Sequence, residues 1–483
     1  MIKRHRRLLL LSRNCRPQAK EKTMRVAIIG GGCAAAGALE ILGANPKIQE
    51  IVVFEAASHW GGRAWTRKVD EAYFDMGPQF VQDPGVTISD ADPTLKGTDL
   101  PETANPWLKI IKKLNTANLS NFTCLQIDPT TYYRVPDGAG GWQDVFTTND
   151  INQVNNTIDT DFQFAATKPN LPASVTYQSG GPFAGTVHLA LGSNGYGPIA
   201  ESVETWQYIA ADSDRQVAPA GEQPNIYVAP GIGDVVGLYM NVLTNPAEGS
   251  SCAITGNLKT KVLSIQQGSN QIKIDTENGS FYGFDFCIVT ISPYALANIA
   301  FTPPLPAEKI KALKYIGLGN YKKIGIYADN IPESIKMNTE YYTIDLDGQS
   351  CWQYFRNPHF KNLLIGVASG NFARTLETMD KEQVRDRFTA VIKSRYGDVT
   401  LNITDWAVTN WANEPRIGGA YSYTIADGGP ADDPFPLQAR DLLQTTHQNI
   451  FFAGEADWTE AYGTIHGAYY SGQRAANALL NRL

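Results

Sequence analysis

Apolar residues near the start of the chain fall into short blocks of different character. Residues 25–29 (RVAII) form a brief apolar run that stops at Gly30, and residues 33–42 (CAAAGALEIL) are rich in helix-forming alanine. Residues 50–54 (EIVVF) are β-branched and apolar. That order predicts strand, tight turn, helix, strand. Further on, Val262, Ile265, Ile272 and Ile274 alternate with polar residues, which predicts a meander with one covered face. Residues 104–115 and 380–397 carry apolar positions at helical spacing and predict amphipathic helices. From His466 onward, small and apolar residues recur at helical spacing and predict a closely packed terminal helix. The Pro- and Gly-rich residues 169–185 predict loops. No apolar run approaches the roughly 18–20 residues needed to cross a bilayer. Residues 1–23 are basic with a four-leucine core and lack a secretory cleavage pattern, and Met24 directly precedes the first strand. A disordered or misassigned leader is expected there.

Length and charge narrow the class. The 483 residues suffice for two or more domains with large cores. Charged residues make up only 18% against 43% hydrophobic, which fits a globular protein. Lys and Arg number 41 and Asp and Glu 48, a net charge of −7 that offers no nucleic-acid surface. The six cysteines contain no C-x-x-C pair and the six histidines no ligand spacing, so no metal site is expected. Scattered thiols suit a reducing compartment, and cytoplasmic residence is the expectation. Oligomeric state is left open, a homodimer included.

The turn after the first strand carries chemistry. Gly30-x-Gly32-x-x-Ala35 fits the dinucleotide-binding fingerprint inside its strand–turn–helix context. Gly30 permits the sharp turn, Gly32 lets a pyrophosphate approach the backbone, and Ala35 lets helix and strand pack closely. The helix start presents free N–H groups and a partial positive charge to phosphates. Glu55, 20 residues after Ala35, ends the second strand where a carboxylate accepts ribose hydroxyls. An adenine dinucleotide is expected.

The blocks that follow resemble the flavin-containing amine oxidase superfamily, the monoamine, polyamine and L-amino acid oxidases and their relatives. Gly61, Gly62, Arg63 and Thr66 match its G-G-R-x-x-T element, and Asp75 and Gly77 its D-x-G segment. "VAPGIGDVVGLYMNVL" (228–243), residues 258–292 and "AGE" (453–455) followed by "GTIHGAYYSG" (463–472) match later blocks. The resemblance covers roughly residues 24–80, 226–325 and 405–483. It implies FAD as cofactor. Arg63 would neutralise pyrophosphate, Val262 would meet the adenine through its backbone, and Glu455, after Gly454, would hold the ribityl or pyrophosphate region. Gly77, Pro78 and Gln79 would pass beside the flavin, and Gly463, Thr464 and Ile465 would lie against its pyrimidine edge. Val262 and its alternating neighbours are equally compatible with plain sheet core.

The same resemblance places the reaction centre. Lys323, in "IGLGNYKKIGIYAD" (316–329), would hold a water at flavin N5 and favour oxygen activation, while Lys322 faces the other way. Trp411 would flank the flavin, and Tyr421 and Thr464 would be opposite walls of the family's amine cage. Ala420 stands where monoamine oxidases carry the cysteine that joins the flavin, so non-covalent FAD is implied. Phe80 replaces the arginine with which amino acid oxidases clamp a carboxylate; Arg356, Arg374 and Arg416 are other candidates for that clamp. The fold expected is α/β: a Rossmann-like FAD-binding domain with β-meander (residues 24–85, 226–300 and 416–483). It is interleaved with a mixed α+β substrate domain (86–225 and 301–415). The activity implied is hydride transfer from an amine C–H to flavin N5, giving an imine and, with O2, hydrogen peroxide. Alternatives are an L-amino acid oxidase or a flavin desaturase of a biosynthetic pathway and, of another class, a flavin-binding protein without turnover.

Overall fold

The computed structural model describes residues 24–145, 224–246, 252–269, 271–348, 350–425, 430 and 435–483. The expected leader and the expected loops at 169–185 lie outside the described residues. β1 (Met24–Ile29), α1 (Cys33–Gly43) and β2 (Ile48–Phe54) form the strand–helix–strand unit that the first apolar blocks predict. β1 is the middle strand of a five-stranded sheet ordered Ala253–Asn257, β2, β1, Phe286–Val289, Ile450–Phe452. Every pair in it is parallel.

A parallel sheet must be covered on both faces, so its strands read as unbroken apolar runs. β1 shows why. Val26 and Ile28 pack with α1 and the terminal helix (Ile465–Leu480), whereas Ala27 and Ile29 pack with Val262, Ile265, Ile272 and Ile274. Those four residues belong to the antiparallel meander Val262–Gln267, Ile272–Thr276, Gly279–Phe284. Its chain then runs straight into Phe286–Val289 beside β1.

A second sheet has seven strands, in the order Ile403–Val408, Tyr321–Ala328, Leu363–Ser369, Cys351–Arg356, Thr339–Ile344, Thr130–Pro136, Trp142–Val145. One face, with Ile324 and Ile326, packs on Val384, Phe388, Val391 and Ile392 of the helix Lys381–Arg395. The other face, with Ile365 and Val367, packs on Val69 and Phe74. The helix starts at a capping box in which Gln383 N donates to Asp380 Oδ1 (2.7 Å) and Asp380 N to Gln383 Oε1 (3.0 Å). The other amphipathic helix, Pro106–Thr116, is capped by Asn105. Among the described residues no helix is long and apolar enough to cross a membrane.

Two distant parts of the chain meet where α1 crosses the terminal helix. A Cβ at Gly37 would stand 2.1 Å from the Tyr469 carbonyl oxygen, and one at Gly472 1.9 Å from that of Ala34. Only glycine lets the two backbones touch. Gly472→Ala is therefore expected to separate the helices at a cost of about 1–3 kcal/mol, the usual penalty of overpacking. Thermal unfolding followed by circular dichroism checks this, and an unchanged Tm would refute the close-contact account.

Candidate functional site

At the C-terminal ends of β1, β2 and the strands Phe286–Val289 and Ile450–Phe452 the structure opens into a cleft of about 750 Å³. Open parallel sheets hold ligands at this edge. Most of the residues singled out from the sequence stand on its wall: Gly30, Gly32, Glu55, Gly61, Gly62, Arg63, Gly77, Pro78, Val262, Trp411, Ala420, Tyr421, Gly454, Glu455, Thr464 and Ile465. Ala35 lies wholly buried one turn into α1. Gln79, Phe80 and Lys323 are not on the wall.

At one end of the cleft, backbone dictates the shape. Gly30, at φ +103°, turns the chain out of β1 while its N–H still donates to Phe54 O (2.8 Å). α1 then begins with no side-chain cap, so its first N–H groups keep their hydrogen-bonding capacity. Gly61 N donates to Gly31 O (2.8 Å), locking the second glycine turn onto the first. Glu55 is buried, and its two oxygens accept from Gly31 N (2.7 Å) and Ala57 N (2.6 Å). Burial pushes its carboxyl above the usual carboxylate range, although those two backbone donors pull it down.

Gly32 tests whether a dinucleotide fits. Its φ of −96° is open to any residue, and the nearest protein atom to a Cβ there would be Gly61 O at 3.7 Å. Nothing in the protein demands glycine at this point. The bare backbone beside an uncapped helix start makes sense for a pyrophosphate lying in the gap.

Farther along the cleft, Glu455 is a buried junction. It accepts from Arg63 Nη1 (2.9 Å), Ser422 N (3.2 Å), Ser422 Oγ (2.6 Å) and Gly463 N (2.9 Å). The wholly buried Arg440 donates to Ser422 Oγ (2.8 Å) and Ala456 O (2.7 Å). Burial alone would raise the Glu455 carboxyl, but Arg63, Arg440 and the Ser422 hydroxyl outweigh it and hold it below the usual range. Arg63 also donates to Ala420 O. The hydroxyl of Thr464 is committed locally: it donates to Ala461 O (2.7 Å) and accepts from Gly467 N (2.9 Å), capping the terminal helix.

Also on the cleft wall, the ring of Tyr421 packs against Tyr321, with centroids 5.5 Å apart, and the two side chains are hydrogen-bonded. Trp411 donates from Nε1 to Met76 O (2.9 Å). Lys323 sits behind this segment, 2% exposed, donating to Asp75 O (2.6 Å) and Gly77 O (3.1 Å). It thus reaches the cleft through the backbone of the D-x-G segment. Burial lowers its pKa to about 8 against the pull of Asp75, and burial raises the Asp75 carboxyl to about 6. Lys322 does face the other way, paired with Glu377 at 2.8 Å.

Phe80 departs from the expected place because the strand Phe80–Val81 pairs with Tyr227 and Ile226, which turns its ring onto Tyr227 (5.5 Å). Gln79 likewise hydrogen-bonds Tyr227. Of the other clamp candidates, Arg416 stands on the cleft wall and Arg356 and Arg374 do not. Arg356 donates to Ile331 O and Pro332 O, Arg374 is exposed, and Arg416 pairs with Glu414 (2.6 Å) within electrostatic reach of Glu55. Sequence reasoning missed Tyr321, Ser422 and Arg440. Tyr321 had a signal, since it lies two residues before Lys323 and so shares its face of the strand; Ser422 and Arg440 had none.

A glycine-turn cradle at the edge of the parallel sheet thus runs into a recess walled by Tyr321, Trp411 and Tyr421. The chain belongs to the flavin containing amine oxidoreductase family, whose model matches residues 32–97 and 256–480, more than half of the chain. It is 30% identical over 286 residues to polyamine oxidase 4 of Oryza sativa subsp. japonica, covering 58% of this chain and 55% of that relative. The chain thus spans about half the length of that relative. With probable polyamine oxidase 5 of Arabidopsis thaliana it shares 24% over 95% of this chain and 98% of the relative. A solved structure of putrescine oxidase bound to putrescine superimposes with a TM-score of 0.70 at 16% identity, covering 95% of this chain and 99% of that one. At that identity the likeness is one of fold.

Gly32→Val is expected to leave the circular dichroism spectrum and Tm of the protein stripped of flavin unchanged while abolishing FAD uptake. Visible absorbance after reconstitution measures this, and a yellow Gly32→Val protein would refute the cradle.

Proposed function

We propose that the chain is an FAD-dependent oxidase of small amines that holds its cofactor without a covalent bond. The observation that carries this reading is one continuous cleft, running from Gly32 and Glu55 to Tyr321 and Tyr421, with a buried lysine fixed behind it. FAD, held by these residues, would supply a two-electron acceptor for oxidation of the carbon beside the amine nitrogen, with O2 as the final oxidant, so that amine and O2 would give imine and hydrogen peroxide. The rest is the work of the chain. Gly32, the start of α1 and Glu55 bind the dinucleotide end, and the methyl of Ala420 offers no atom for a thioether. Tyr321, Tyr421 and Trp411 exclude water and orient an apolar stem. The Lys323 ammonium, aimed by two carbonyls, favours negative charge on the reacting oxygen.

The relatives' names, polyamine oxidase and putrescine oxidase, support an amine. The amino acid alternative needs a guanidinium near the tyrosines. Among the described residues Arg416 is the one clamp candidate on the wall, and it is paired with Glu414 beside Glu55.

Two measurements test the reading. Purified protein is expected to be yellow, to bleach when an amine is added under argon, and to release hydrogen peroxide on return to air. Yellow protein that no amine bleaches would overturn it. The second concerns Lys323, whose ammonium is charged below pH of about 8 and neutral above it. Stopped-flow reoxidation should therefore slow as pH rises through about 8. Lys323→Met is expected to be about 10²-fold slower and to lose that pH dependence while retaining FAD.

A further inference from the structure

Asp75 closes the hairpin of strands Thr66–Val69 and Ala72–Asp75, in register with Thr66, and its two ends serve different partners. The backbone carbonyl accepts from Lys323 Nζ at 2.6 Å. The carboxylate turns instead to the start of the helix Ile232–Thr244. Its Oδ1 accepts from the Thr66 hydroxyl (2.6 Å) and from Gly233 N (3.2 Å), and its Oδ2 from Ile232 N (3.2 Å). The Thr66 hydroxyl in turn accepts from Asp234 N (3.0 Å). Three N–H groups of one helix start are thus satisfied by Asp75 directly or through Thr66. A Cβ at Gly231 would stand 2.6 Å from Asp75 Oδ1, so a bare backbone is needed for the helix to come this near.

That anchoring holds a carboxylate beside a buried ammonium. Lys323 Nζ lies between the two carbonyls and the ring of Phe74, whose centre is 5.2 Å away. Other ionisable groups on the elements packed there are remote or differently engaged. The neighbouring strand Leu363–Ser369 carries none, and Arg67, Lys68 and Glu71 of the hairpin are exposed. Asp70 and Asp405 are tied to each other's segments at the far end of the hairpin. Asp234 follows on the helix and Tyr321 lies on the lysine's own strand, yet Asp75 is the one group whose charge acts on Lys323. Burial works against the ammonium and Asp75 works for it; reciprocally, Lys323 helps keep the Asp75 carboxyl ionised against its own burial.

We infer that Asp75 is a positioning residue for the oxygen step: pinned to the start of the helix Ile232–Thr244, its carboxylate keeps the Lys323 ammonium charged while its carbonyl fixes that ammonium behind the cleft. The inference rests on the amine-oxidase reading, in which Lys323 serves the reaction with oxygen, and deepens it. With the carboxylate's charge removed, burial goes unopposed and Lys323 gives up its proton at lower pH.

The test follows the Lys323 side chain by NMR in holoenzyme labelled with [6-13C]lysine, the resonance being assigned by its loss in Lys323→Met. Asp75→Asn keeps the shape and an acceptor oxygen for Thr66. Its Lys323 midpoint is expected to fall by about one pH unit or more from the wild-type value of about 8. The pH at which stopped-flow reoxidation slows should fall with it. A midpoint that stays in place would overturn the inference. The reciprocal measurement leaves Asp75 intact: in Lys323→Met its carboxyl, followed through 13Cγ, should titrate above the wild-type value of about 6. An unmoved Asp75 titration there would overturn the inference whether or not Asp75→Asn folds. So would a Lys323 midpoint that falls while reoxidation keeps its pH profile, because Asp75 would then have no part in the oxygen step. Moved midpoints with no peroxide formed from any amine would uphold the pairing of Asp75 with Lys323 and sink the oxidase reading instead.

Discussion

The site depends on one buried charge junction. Glu455 is held by Arg63 from the early part of the chain, by the backbone and hydroxyl of Ser422, and by the N–H of Gly463. Three segments far apart in sequence are thereby fixed at one point. A lone carboxylate at that depth would take up a proton, and two guanidinium groups keep it ionised. Such an arrangement adds little net stability compared with an apolar cluster, but it tolerates no substitute at any corner. Geometry, rather than bulk stability, is what the junction supplies.

A second constraint is the alternation of the strand Tyr321–Ala328. Adjacent lysines on an exposed strand would be ordinary. Here both are buried, on opposite faces, and each is satisfied differently. Lys322 finds the carboxylate of Glu377, so its charge is neutralised. Lys323 finds the carbonyl oxygens of Asp75 and Gly77, which orient the ammonium but leave its formal charge in place. The neighbouring Asp75 carboxylate offsets part of the cost of burial. One residue ties a helix to the sheet and the other keeps a positive centre beside the cleft.

Much of this was legible in the sequence, for physical reasons. A strand covered on both faces has to be apolar throughout, and a backbone that approaches a phosphate has to be bare, so β1 and Gly32 announced themselves. The meander was visible as alternation. What stayed hidden was decided by pairing partners remote in sequence. Phe80 resembles a site residue until its strand pairs with Tyr227 and turns it away. Thr464 offers a hydroxyl until the terminal helix claims it as a cap. Ser422 and Arg440 carry no local pattern, because their importance exists only once Glu455 lies between them and Arg63.

The outer strand Ile450–Phe452 and the helix that presses on α1 are both contributed by the chain's last few dozen residues. During synthesis, the nucleotide turn emerges from the ribosome hundreds of residues before the pieces that complete its pocket. Until then the half-built sheet has an open edge and an uncovered apolar face, the kind of surface that chaperones recognise. A polypeptide that ends before Ile450 therefore lacks the strand beside Phe286–Val289 together with Glu455 and Thr464, and so one wall of the cleft.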